Sequence, residues 1–240
     1  MFHADWKQHY LYAGRASLLT IYCILSSRLN YAGGDTAVRR ILDFGCGHGR
    51  ITRWLRAGFP DGQIDVIDYD KTGVSWCVEQ FNCIAVEGAV PPRVYDLVWL
   101  GSVFTHLPAH IVEALLRELL ASLRPNGVLA FTSQGRYSVE RMQGFDWEHD
   151  NRRWMHYNLD RASFDAVISG YRETGYGFVE YPGQKDYGVC VSRPTWYSER
   201  VLSGNEYVQI FFQEKGYDNH QDVSAFMRAD VVDSRKGPLW

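Results

Sequence analysis

From Asp43 to Gly49 the chain reads Asp-Phe-Gly-Cys-Gly-His-Gly, a carboxylate followed by three glycines at alternate positions. Glycines at this spacing let a backbone turn sharply and let a ligand approach it closely. A nicotinamide dinucleotide fingerprint would space them G-x-G-x-x-G, and a carboxylate just ahead of them would repel a pyrophosphate. Asp43 suits a ligand with an ammonium group instead, such as the methionyl part of S-adenosylmethionine. About twenty residues further on, Asp68 stands where a carboxylate can accept hydrogen bonds from both hydroxyls of a ribose. Taken alone, Asp43 could cap its loop and Asp68 could be a solvated strand end. Both acids in order around one glycine loop favour a binding site.

These residues need a scaffold, and the chain supplies one. From Arg39 to Ser133 short apolar runs alternate with amphipathic helical runs, as a parallel sheet with crossover helices requires. The expected strands are 40–44, 63–68, 84–86, 95–100 and 128–132. The expected helices are 50–57, 70–82 with Asp70 as N-cap, and 109–123, stopped by Arg124-Pro125-Asn126-Gly127. Ahead of them, Tyr10 to Leu29 has helical spacing and Gly33-Gly34-Asp35 breaks it. After Ser133 the alternation stops. Residues 134–193 mix aromatics and charges, including Trp147, Trp154, Tyr157, Tyr171, Tyr176, Phe178, Tyr181 and Tyr187, with one helix expected over 160–173. The end of the chain reads as a helix (195–202) and two strands (207–212 and 223–227).

The fold class read from this pattern is α/β: a Rossmann-like, doubly wound, seven-stranded and mostly parallel sheet with an antiparallel last strand. A single domain is expected, divided into an N-terminal helical segment (1–36), a core (37–133), an insertion (134–193), and a last helix and hairpin (194–240).

Composition bounds the function. The chain has 240 residues, 46% of them apolar, with 8 Trp and 15 Tyr, enough to fill a core and still line a pocket. A net charge of −3 argues against a nucleic-acid partner, because such partners select for a basic face. Five scattered cysteines without a CxxC pair suggest neither a zinc site nor a disulfide framework, and fit reduced thiols in a cytoplasmic protein. The apolar stretch Leu18 to Leu25 is too short to span a bilayer. No histidine stands at ligand spacing to carboxylates, so no metal is expected.

Ile41-Leu-Asp-Phe-Gly-Cys-Gly-His-Gly-Arg50 resembles the first motif of class I S-adenosylmethionine-dependent methyltransferases. Ile64-Asp-Val-Ile-Asp-Tyr-Asp70 resembles their second, Tyr95 to Pro108 their fourth, and Leu123 to Leu129 the turn into their fifth strand. Gly101-Ser-Val-Phe-Thr-His-Leu107 and Asn219-His-Gln-Asp-Val223 resemble a bacterial subgroup acting on small-molecule or glycan-like acceptors. The resemblance implies S-adenosylmethionine as cofactor. It implies Asp43, Gly45, Cys46 and Gly47 along the methionyl part, Asp68 on the ribose, Tyr69, Gly88 and Ala89 around the adenine, and Gly101 and Ser102 near the sulfonium. Many relatives carry an aspartate beside the Gly88 position, where this chain has Ala89.

Methyl transfer from a sulfonium needs mainly alignment, and a hydroxyl acceptor is helped by a base. His106, in the loop after the fourth strand, is the first candidate, with loop ordering as its alternative role. His220 and Asp222, two apart, would share one face of a strand and form a hydrogen-bonded pair, making His220 the second candidate. The insertion, with Trp147, Trp154, Arg152 and Arg153, has the makings of a lid over the acceptor cleft. The alternative to an enzyme is a cofactor-binding partner protein without activity.

Overall fold

The computed structural model describes residues 4–32, 34–147 and 159–229; Trp154, Tyr157, Arg152, Arg153 and Gly33 lie outside them. In chain order the elements are α1 (Ala4–Arg28), β1 (Arg40–Phe44), α2 (Thr52–Gly58), β2 (Gln63–Ile67), α3 (Lys71–Phe81), β3 (Ile84–Ala85), β4 (Tyr95–Leu100), α4 (Ala109–Ser122) and β5 (Leu123–Ser133). Then follow α5 (Arg136–Gln143), α6 (Arg161–Thr174), β6 (Tyr176–Glu180), β7 (Gly188–Ser192), α7 (Pro194–Val201), β8 (Tyr207–Tyr217) and β9 (Gln221–Arg228). Seven strands form one sheet in the order β3-β2-β1-β4-β5-β9-β8, and β6 and β7 form a separate hairpin. β9 alone runs opposite to the other six strands of the large sheet, antiparallel to both β5 and β8.

Local chemistry explains the elements. Every residue of β4 (Tyr-Asp-Leu-Val-Trp-Leu) is buried, as a central parallel strand covered on both faces must be. The sheet's two faces carry separate cores. Ile41, Ile64, Val66, Leu97 and Trp99 pack with Ile21, Ile24 and Leu55 from α1 and α2. Leu42, Val98, Leu100 and Leu129 pack on the other face with Val112, Leu116 and Leu119 of α4 and with Trp196 and Tyr197 of α7. Each of these large apolar side chains contributes on the order of 2 kcal/mol by leaving water. Asp70 caps α3 by accepting from Thr72 N, and Asp160 caps α6 by accepting from Ser163 N. Both caps satisfy donors that a first helical turn leaves open.

Three expectations change. The helix after the glycines starts at Thr52 rather than Arg50. The turn at 124–127 lies inside β5: Tyr95 pairs with Leu123 and Leu97 with Val128, so the Pro-Asn-Gly stretch loops out of a strand already begun. Asn126, at φ 60°, makes that excursion. The described residues of 134–193 include two helices and the β6–β7 hairpin, where one helix was expected. This part has its own apolar cluster, in which Val139, Phe164, Val167, Tyr181 and Val191 are buried.

Candidate functional site

The glycine loop lies at the carboxyl ends of the parallel strands, and its shape follows from the register. Asp43 pairs with Val66 of β2 on one side and with Trp99 of β4 on the other. Gly45 N and Cys46 N both donate to the Ile67 carbonyl, at 2.8 and 3.2 Å. That fold-back needs φ +85° at Gly45, where a Cβ would also collide with Val103. Gly47 is left-handed as well, and a Cβ there would meet nothing within 4 Å, so open space adjoins the loop at this point.

Asp43 is 1% exposed. Its Oδ2 accepts from the Thr52 hydroxyl at 2.6 Å, while Oδ1 is buried without a hydrogen-bond partner. Burial pushes its carboxyl up to about 6; the Thr52 hydrogen bond opposes the shift, the Asp68 charge adds to it, and Arg50 opposes it. A buried carboxylate oxygen lacking a partner calls for a cation or a strong donor. An ammonium group fits this demand.

Asp68 already holds the loop. Its Oδ2 accepts from Gly47 N at 2.7 Å and its Oδ1 from Asp70 N at 2.8 Å. Tyr69 is fully exposed at the same edge. Gly88, at φ +77° with open space where a Cβ would be, and Ala89 are also exposed there. His48 points outward, its Nδ1 3.6 Å from Asp70 Oδ2. Cys46 is buried; its side chain joins the α2–α3 core rather than the surface of the loop. Among the described residues, no group of three or more His, Cys, Asp or Glu side chains could hold a metal ion, and no helix is long and apolar enough to cross a membrane.

At the end of β4 the chain makes a strained turn. Ser102 is left-handed at φ +61°, a conformation that costs a non-glycine residue free energy and needs outside support. Ser102 N donates to Thr132 Oγ1 at 2.8 Å, and Thr132 Oγ1 donates to Gln221 Oε1 at 2.6 Å. Gln221 Nε2 closes the circuit by donating to Ser102 Oγ at 3.0 Å. Thr132 and Gln221, from β5 and β9, were not among the residues expected at the site. Gln221 lies inside the Asn219–Val223 segment, whose titratable neighbour His220 drew attention instead.

The expected His220–Asp222 pair does not form. Asp218 and Asn219 are both left-handed, so His220 sits in the turn and β9 begins only at Gln221. The alternation that would align His220 with Asp222 therefore starts one residue too late. His220 Nδ1 donates to the Asp218 carbonyl at 2.7 Å. Asp222 accepts from Lys215 N through Oδ1 and packs Oδ2 against Gly135.

His106 is held by the β6–β7 hairpin. Its Nδ1 lies 2.9 Å from the Gly188 carbonyl and 3.1 Å from Tyr181 Oη. A carbonyl only accepts, so Nδ1 carries the proton and the ring's lone pair is on Nε2. Burial lowers the imidazole's pKa, against the Gly188 hydrogen bond, which raises it. The neutral form is therefore favoured at pH 7. The Tyr187 ring stacks on His106 with centroids 5.1 Å apart. Backbone bonds from Gly188 N to the His106 carbonyl and from Cys190 N to the Thr105 carbonyl stitch the hairpin to this loop.

Comparison with known proteins bears on this arrangement. A family described as a methyltransferase domain matches residues 19–167. A malonyl-[acyl-carrier protein] O-methyltransferase of Acetivibrio thermocellus is 30% identical over 120 residues, covering 47% of this chain and 41% of that protein. A trans-aconitate 2-methyltransferase of Methylobacterium radiotolerans is 32% identical over 99 residues, covering 39% of this chain and 37% of that one. The chain thus spans about two fifths of the length of each of these two relatives. A 1,6-didemethyltoxoflavin-N1-methyltransferase of Burkholderia thailandensis, solved with 1,6-didemethyltoxoflavin and S-adenosylhomocysteine, has a TM-score of 0.56 at 12% identity. That match covers 95% of this chain and 82% of the other. At such identity it speaks for the fold alone.

Proposed function

Because the chain belongs to the methyltransferase-domain family, the class I enzymes that use S-adenosylmethionine, we propose that it methylates an oxygen of a small-molecule or glycan-like acceptor. The observation that carries the cofactor half is Asp43 Oδ1, a buried acceptor without a hydrogen-bond partner just ahead of the glycine loop. When bound, S-adenosylmethionine supplies an electrophilic methyl group on a sulfonium. In this reading Asp43 receives the ammonium, Asp68 the ribose hydroxyls, and Tyr69 with the Gly88-Ala89 backbone flanks the adenine. Gly101 and Ser102 face the sulfonium, and the Thr132–Gln221 circuit holds Ser102 in its turn.

The oxygen acceptor is favoured by His106. Its neutral ring, fixed by the Gly188 carbonyl, can take the hydroxyl proton at Nε2 as the acceptor oxygen attacks. The β6–β7 hairpin, bonded to the loop of His106, supports reading the insertion as the wall and lid of the acceptor cleft. The names of the curated relatives include an O-methyltransferase of a malonyl-carrier substrate, and the structural neighbour is named for methylation at a ring nitrogen. Incubation with methyl-labelled S-adenosylmethionine and a panel of hydroxyl, carboxylate and amine acceptors separates these classes. Label in methyl ethers is expected; label confined to amines would overturn the oxygen reading.

A further inference from the structure

The turn between β6 and β7 meets His106 with several groups at once. Tyr181 N donates to the Tyr187 carbonyl at 3.0 Å, which draws the two ends of the turn together. Gly188 uses both of its main-chain groups: its N–H donates to the His106 carbonyl, and its carbonyl accepts from Nδ1 at 2.9 Å. A Cβ at this position would collide with the Val179 carbonyl, so glycine is required. Two titratable side chains of the turn face the imidazole. The Tyr187 ring stacks on it, and the hydroxyl of Tyr181, a residue 4% exposed, lies 3.1 Å from the same Nδ1. Nδ1 of a neutral ring carries one proton, and the Gly188 carbonyl fixes it there. Tyr181 Oη, on the same nitrogen, therefore accepts the second arm of a three-centre bond.

Two acceptors on one nitrogen matter most when the ring is charged. We infer that Tyr181 is a positioning residue for the proposed base: its hydroxyl oxygen helps to keep the lone pair on Nε2 and steadies the imidazolium that forms there. This assignment rests on reading His106 as the base. In that step the hydroxyl proton of the acceptor moves to Nε2 and its O–H electron pair stays on oxygen. The oxygen bonds to the methyl carbon as the carbon–sulfur pair leaves with sulfur, so the positive charge passes from sulfur to the ring. A hydrogen bond from a charged donor is about twice as strong as one from a neutral donor. Tyr181 Oη and the Gly188 carbonyl therefore hold the imidazolium more firmly than the imidazole, and offset part of the penalty that burial places on its charge. A hydroxyl 75 residues further along the chain would thus set the strength of the base.

The test is the imidazole signal of His106 in wild type and Tyr181→Phe, followed across the acid range by long-range proton–nitrogen correlation, with His106→Asn identifying the signal. Wild type is expected to carry its neutral-form proton on Nδ1. Tyr181→Phe keeps the ring and the Gly188 carbonyl, so the tautomer should persist. The acid dissociation constant of the imidazolium should rise roughly 3- to 10-fold, the scale on which one hydrogen bond strengthens when its donor becomes charged. The sign separates positioning from packing. A loosened hairpin would let water reach the ring and move its pKa up, towards the ordinary value. Exchange of the Gly188 amide, bonded to the His106 carbonyl, should accordingly stay as slow in the variant as in wild type. A pKa that stays put or rises in Tyr181→Phe, or a wild-type proton on Nε2, overturns the assignment while the base reading stands. If His106→Asn methylates the acceptor found in the labelling panel as fast as wild type, the base reading falls, and the part of Tyr181 in methyl transfer falls with it.

Discussion

The glycine loop and the loop of His106, the two flanks of the proposed site, are built on different principles. Around the glycine loop the surface is backbone: Gly45, Cys46 and Gly47 are pinned by main-chain hydrogen bonds to Ile67 and by Asp68, and a buried carboxylate oxygen of Asp43 lacks a hydrogen-bond partner. Around His106 the surface is side chain: an imidazole braced by Tyr181 and the Gly188 carbonyl and stacked on Tyr187. Backbone cradles fix a ligand that does not vary, since their shape depends on few side chains. Ring walls can be resized by substitution, which suits an acceptor that differs from one relative to the next. Mutations on the two flanks should accordingly separate: one set should alter cofactor affinity, the other turnover.

His106→Asn should give the largest separation. The amide keeps much of the volume and loses the basicity, so kcat on an oxygen acceptor should fall by about 100-fold or more. Cofactor affinity should stay within about 3-fold, since nothing on the cofactor flank is touched. Steady-state kinetics on the acceptor found in the labelling panel, paired with calorimetry, measure both. An unchanged kcat would make His106 an organiser of its loop and erase the contrast between the flanks.

Asp68→Ala should do the reverse, weakening cofactor binding by about 2 kcal/mol through loss of charge-assisted hydrogen bonds. Because Asp68 also ties Gly47 N and Asp70 N, the variant should melt lower as well. Asp68→Asn, which keeps one acceptor oxygen, should recover part of the melting temperature. A dissociation constant that does not move in Asp68→Ala would put the ribose elsewhere.

Acid should act on the cofactor flank. Asp43 titrates near 6 in the folded protein, and only its ionised form attracts an ammonium. Between pH 7 and pH 5 cofactor affinity should drop by about 10-fold, one proton being taken up across that interval. Asp43→Asn should bind more weakly at pH 7 and lose the dependence. The same raised carboxyl holds its proton more tightly folded than unfolded. Its contribution to stability is therefore greatest in acid and declines as the pH climbs from the ordinary carboxylate range to about 6. Calorimetry across that range, alongside melting curves, reads both effects.

The sequence announced the backbone-built flank more clearly than the other. Asp43, the three glycines and Asp68 follow one another along a single strand-loop-helix-strand passage, so their spacing carries the geometry. Asp70 was legible as a cap because capping is a local interaction between near neighbours. The β6–β7 hairpin was not legible: its Gly177 and Gly188 make close backbone approaches to α6 and across the hairpin, and its pairing with the His106 loop is non-local. Gln221 was missed for a similar reason. An uncharged amide shows its importance only when Ser102 and Thr132 come from distant strands to meet it. His220 was paired with Asp222 because nothing in its own neighbourhood signalled two successive left-handed residues before it.

The central claim is that the loop from Asp43 to Gly49 is made for a cationic, amino-acid-bearing adenosine and not for a dinucleotide. Titration of the wild-type protein with S-adenosylmethionine and, separately, with NAD tests it most directly. The arrangement of Asp43, Gly47 and Asp68 predicts at least micromolar affinity for S-adenosylmethionine and no heat above background with NAD. Tighter binding of NAD than of S-adenosylmethionine would contradict it.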